Sequence, residues 1–76
     1  MSEIEYMKKI RGMPFIKVGM RVLFTHSRKW GTITGVNNSA NLNVKFDGDN
    51  YSCNCHPTWM MQYYDADGKM IAEFRE

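Results

Sequence analysis

Cys53, Asn54, Cys55 and His56, with His26 elsewhere in the chain, carry the side chains best suited to metal chemistry. Two thiols and two imidazoles make four ligands, the number a closed zinc site takes. Their spacing points away from zinc. C-x-C-H is not the usual C-x2–4-C knuckle, and on an extended strand both cysteines share one face while His56 points elsewhere. Alternate positions of one strand also suit a mutual disulfide poorly. The expectation is two reduced thiols acting as small core hydrophobes, with no metal and no cofactor.

Asp65-Ala66-Asp67-Gly68 has the acids of a calcium loop, but Tyr63 falls where the first ligand belongs and Phe74 where the closing glutamate belongs. It reads as a hairpin turn. Ser27, Ser39 and Ser52, the two histidines and the aspartates form no nucleophile elbow, carboxylate pair or phosphate loop. A 76-residue chain also leaves little room for a closed substrate pocket. The chain is expected not to be an enzyme.

Binding chemistry is better represented. The stretch Ser27–Gly35, SRKWGTITG, sets Arg28, Lys29 and Trp30 beside the start of an alternating run. Cations neutralise phosphates with release of counterions, and an exposed indole stacks on a splayed base. Lys17 and Arg21 would extend the patch. The charge distribution agrees: residues 1–31 carry seven cations against two acids, and residues 32–76 carry three against six, within a net charge of +2. Such a split steers an anionic partner to one side, or draws two halves of one fold together. The bland alternative for Trp30 is that it closes the open end of a small barrel.

Trp59, Met60, Tyr63 and Tyr64 form a second candidate surface, since such residues are enriched at protein interfaces and a terminal hairpin offers an edge. The competing account has an N-terminal helix covering that outer face.

The elements that must position these residues follow from periodicity. Ser2 with Glu5 fits a capping box, and Ile4, Met7 and Ile10 form a stripe ended by Gly12 and Pro14. From Val18 the period becomes two. Val22 and Phe24 mark a first strand, His26–Trp30 a loop, and 31–37 a second strand with a bulge at Gly35 that restores the inward direction at Val36. Leu42, Val44 and Phe46 mark a third strand, and Tyr51, Cys53 and Cys55 a fourth. His56-Pro57 then breaks the pattern before a final hairpin with its turn at 65–68. Short strands with frequent turns predict a mainly β chain: a small SH3-like antiparallel barrel of five or six strands with a short N-terminal helix, an OB-like barrel being second. The division expected is one domain, with helix and linker at 1–17 and barrel at 18–76.

Gly19-x-Arg21-Val22-x-Phe24, Gly31-Thr32-Ile33-x-Gly35 and Leu42-x-Val44-x-Phe46-Asp47 resemble the core of SH3-like KOW and Tudor modules over roughly residues 18–47. The longer string, IRGMPFIKVGMRVLF through HPTWMMQYYDADGKMIAEF, is similar to small uncharacterised phage and prophage proteins over nearly the whole chain. These resemblances imply a small β-barrel in a phage or prophage setting, hence a bacterial host cytoplasm, and a setting rather than a chemistry. No apolar run reaches the ~18 residues of a membrane span and no signal-peptide core is seen, so a cytoplasmic protein without a membrane partner is expected. The primary expectation is a non-catalytic module contacting DNA or RNA through Arg28, Lys29 and Trp30, supported by Lys17 and Arg21. The alternative is a protein-interaction module, binding a host or phage protein or a second copy as a weak homodimer through Trp59, Met60, Tyr63 and Tyr64.

Overall fold

Met7 has no exposed surface and Ile4 packs against the same core, whereas Ile10 is 56% exposed. Helix α1 (Glu3–Arg11) therefore docks by its first two turns only. Residues three apart drift by about 60° around a helix, so the third member of the expected stripe swings out of it. Arg11 holds this end instead, its Nε donating to the Ala40 carbonyl at 3.1 Å and Nη2 to Asn41 Oδ1 at 3.3 Å. Gly12, at φ 65°, ends the helix, and the Met13 amide donates back to the Lys8 carbonyl at 2.9 Å. The computed structural model describes residues 3–75, so the expected cap at Ser2 lies outside the described residues.

Six antiparallel strands follow: β1 (Arg21–Phe24), β2 (Lys29–Val36), β3 (Leu42–Phe46), β4 (Ser52–Cys55), β5 (Met61–Tyr64) and β6 (Met70–Phe74). Their order is β4-β3-β2-β1-β5-β6. The first four make a meander, β5 returns to the free side of β1, and β6 adds by a hairpin. The chain is thus mainly β with one short helix, as its periodicity predicts. Among the described residues no ladder joins β4 to β6, so the sheet keeps two edges.

One face of this sheet holds the core. Val22, Ile33, Leu42, Val44, Phe46, Met61 and Tyr63 are all buried, and the segment after α1 adds Met13, Ile16 and Met20. That segment is tied down by the Gly19 amide donating to the Ile33 carbonyl at 2.8 Å and the Ile33 amide to the Met20 carbonyl at 2.9 Å. Pairing of β2 with β3 skips one residue between Ile33 and Gly35, the bulge expected at Gly35, and Val36 returns to pack against the core. The helix rests against β2, not over the terminal hairpin. The account in which it covers the hairpin's outer face is therefore corrected: docking through Met7 and Arg11 draws it to the β2–β3 side. No helix among the described residues is long and apolar enough to cross a membrane.

Candidate functional site

With Val22 turned into the core, strand alternation turns Arg21 and Leu23 to the opposite, outer face. Register then decides their company. Leu23 lies opposite Trp30 of β2 and Gln62 of β5, and Arg21 opposite Thr32 and Tyr64. Trp30 and Tyr64 reach each other across β1, with ring centroids 4.8 Å apart at 55°. The Arg21 guanidinium lies over the indole at 5.7 Å, within cation–π range. It is also a bidentate partner of Asp47, at 2.8 and 2.7 Å to the two carboxylate oxygens, and donates to Thr32 Oγ1 at 2.9 Å. Asp47 is brought there by its own amide, which donates to the Trp30 carbonyl at 2.9 Å. Hydrogen bonding to Arg21 holds the Asp47 carboxyl below its usual range, and the same pair raises Arg21.

Three grooves follow one another along this face. The first, about 700 Å³, is lined by Leu23, Arg28, Trp30, Gln62, Glu73 and Arg75 among others. The second, about 330 Å³, is lined by Arg21, Trp30, Tyr64, Asp65, Ala66 and Gly68. The third, about 360 Å³, includes Lys17, Arg21, Tyr64 and Asp65. Trp30 is the ridge between the first two, and Arg21, Tyr64 and Asp65 belong to both the second and the third. They form one continuous track. Arg28 stands at one end and Lys17 at the other, neither side chain having an ion-pair or hydrogen-bond partner among the described residues. Lys45, opposite Thr32, adds an exposed cation on the same face.

Four of the five residues singled out for nucleic-acid contact therefore line the track: Arg28, Trp30, Arg21 and Lys17. Lys29 does not. It pairs opposite Phe24 and shares that residue's side of the sheet, so alternation turns it away. Trp30 is also corrected from loop to strand, and it neither closes a barrel end nor stands free. The turn is only Thr25–Arg28, completed by Arg28 at φ 55°, a left-handed conformation rare outside glycine and asparagine. Arg21 is a third correction, since Asp47 offsets its charge and it positions Trp30 instead of presenting a free cation.

The second candidate surface does not exist as one face. Tyr63 is buried, packed edge-on against Phe15 at 5.3 Å, and its hydroxyl donates to the Pro57 carbonyl. Burial raises its phenol well above the usual range. It belongs to the core because β5 presents Met61 and Tyr63 inward and Gln62 and Tyr64 outward. Met60 is half-buried at φ 54°, its carbonyl accepting from the Thr25 amide and hydroxyl at 2.8 and 3.1 Å. Trp59 lies elsewhere, tilted against Phe24 and His26, with ring centroids 5.5 Å apart in each pair. Tyr64 is on the outer face as part of the Trp30 site, and Met60 lines the first groove of the same track. Asp65 and Gln62 also belong there; Asp65 was legible only as a turn residue, and Gln62 had no sequence signal of its own.

Cys53 and Cys55 are free and half-buried. They line a cavity of about 280 Å³ with Phe24, Phe46, His56 and Trp59. Burial pushes the Cys55 thiol up, which keeps it protonated at neutral pH. No group of three His, Cys, Asp or Glu residues close enough to hold a metal occurs among the described residues. His56 Nδ1 faces the Thr58 hydroxyl at 3.1 Å and amide at 3.2 Å, a local turn contact. Asp65 Oδ1 accepts from the amides of Asp67 and Lys69, both at 2.9 Å, and Gly68 has φ 81°, so the 65–68 segment is a hairpin turn capped by its own carboxylate.

No protein-family model, curated protein or solved structure matches this chain.

Proposed function

We propose that this protein is a non-catalytic module that binds single-stranded DNA or RNA along the outer face of β1, with Trp30 as the stacking platform. The observation that carries the reading is the track itself. Residues distant in sequence, Lys17, Arg21, Arg28, Trp30 and Tyr64, line one run of three grooves that starts and ends at an unpaired cation. A single strand suits this better than a duplex. Trp30 is 40% exposed and offers an aromatic surface on which a splayed base can stack. Two acids beside the track are engaged, Asp47 with Arg21 and Glu73 with Gln62 at 2.6 Å and Arg75 at 3.4 Å, while Asp65 keeps one carboxylate oxygen without a partner among the described residues. An SH3-like module of phage or prophage origin belongs to the same proposal. The sheet order, a meander whose fifth strand returns to the first, supports the SH3-like part, and the sequence resemblance supports the phage setting.

Fluorescence anisotropy of a labelled deoxycytidine hexamer at two salt concentrations tests the reading. Contacts to two or three phosphates give a log–log salt slope of about −1.4 to −2.1. Trp30→Ala should weaken binding by roughly 5- to 150-fold, the loss of one stacked base. Trp59→Phe, at a residue that lines none of the three grooves, should leave it unchanged. Absence of salt-dependent binding, or equal losses in the two variants, would contradict the proposal.

A further inference from the structure

The middle groove has two unlike walls. Trp30 and Tyr64, with the Asp47-paired Arg21, form an aromatic wall, and Asp65, Ala66 and Gly68 of the turn line the rest of this space of about 330 Å³. A base stacked on the first wall presents its edge to the second. Of the turn residues lining the groove, only Asp65 has a polar side chain. Its Oδ1 is occupied by two backbone amides at 2.9 Å, which also fix the orientation of the carboxylate. Its Oδ2 has no partner among the described residues. The Tyr64 hydroxyl is engaged, donating to Gln62 Oε1 at 2.6 Å. The turn wall thus offers one oriented carboxylate acceptor.

A carboxylate there repels a phosphate and repels a base edge that presents a carbonyl. It receives an amino group through a charge-assisted hydrogen bond. We propose that the middle groove is a base-selective subsite that takes a base with an exocyclic amino group, which donates to Asp65 Oδ2, and disfavours uracil-type edges. This specificity rests on the single-strand reading of the outer face. Asp65 is a specificity residue, separate from the stacking platform that supplies general affinity.

Cytosine and uracil differ at ring position 4, amino against carbonyl, with the linked change at N3, so deoxycytidine and deoxyuridine hexamers isolate the effect. At neutral pH and equal salt, anisotropy titrations should show the deoxycytidine hexamer binding about tenfold more tightly. Asp65→Asn keeps Oδ1 for the turn amides and replaces the free acceptor with an amide donor. It should abolish or invert the ratio while the far-UV circular dichroism melt stays close to that of the parent. Equal affinity of the unaltered protein for the two hexamers would overturn the subsite and leave the binding face standing, and this comparison needs no variant. A ratio unchanged in Asp65→Asn would overturn the role of Asp65. Failure of both hexamers to bind would overturn the single-strand reading and the subsite with it.

Discussion

Gly31 pairs opposite Phe46 where β2 runs beside β3. A Cβ built on it would lie 2.6 Å from Val44 Cγ1, 3.0 Å from Phe46 Cδ1 and 3.2 Å from the Lys45 carbonyl. Neighbours this tightly packed have little room to shift, so Gly31→Ala should cost on the order of 1–3 kcal/mol in a urea unfolding titration. The absence of a side chain at Gly31 also lets Val44 and Phe46 pack tightly against β2, next to Trp30. Arg28 presents the opposite trade. Its left-handed backbone costs ~1–2 kcal/mol relative to an unstrained residue. Arg28→Gly should therefore raise unfolding stability by up to about 1 kcal/mol and, in the anisotropy assay, weaken binding and flatten its salt slope by ~0.7. A variant that gains stability and keeps the full salt slope would remove Arg28 from the track.

At the scale of elements, α1 is an unequal clamp. Met7→Ala should cost ~2–5 kcal/mol, because a wholly buried side chain leaves a cavity, whereas Ile10→Ala should change stability by no more than ~0.5 kcal/mol. Comparable losses at both sites would mean the helix docks through its whole apolar stripe. Local features of this kind were legible in the sequence. The alternation Leu42-Val44-Phe46, the parity break at Gly35 and the turn at 65–68 depend on neighbours within a few residues, and each stands where its pattern placed it. The site was legible only in its parts. Trp30 meets Tyr64 because β5 returns to β1, and Arg21 meets Asp47 because the end of β3 lies beside β2, pairings that depend on chain topology and not on local period. The same gap divided one surface into two candidate surfaces and kept Tyr63 with the exposed group until its parity on β5 was known. Arg28 in a conformation favoured by glycine concealed how short the first turn is, and so assigned Trp30 to a loop.

Across the whole molecule, ionisation couples to stability in two directions. The carboxyls of Asp47 and Glu73 titrate below their usual range because Arg21 and Gln62 hydrogen-bond the charged forms. Their contribution is present at neutral pH and is lost as pH falls through the folded-state values, where the unfolded chain already binds more protons. Both side chains meet solvent, so this acid limb should be shallow. The buried Tyr63 phenol and half-buried Cys55 thiol behave oppositely, since burial favours their protonated forms. Their contribution is complete below the unfolded-state values of about 8.5 to 10 and declines as pH rises beyond them. Thermal melts from neutral pH to about 10.5 should show a falling midpoint, less steep in Tyr63→Phe. A flat alkaline limb would contradict the buried assignment. The binding account has an equally direct probe, because the chain has two tryptophans on different surfaces, Trp30 in the track and Trp59 against Phe24 and His26. In a proton–nitrogen correlation spectrum each gives a separate indole Nε1–H signal. Titration with a deoxycytidine hexamer should move the Trp30 signal in a salt-dependent way and leave that of Trp59 in place. Movement of the Trp59 signal alone, or of neither, would contradict the outer face of β1 as the nucleic-acid site.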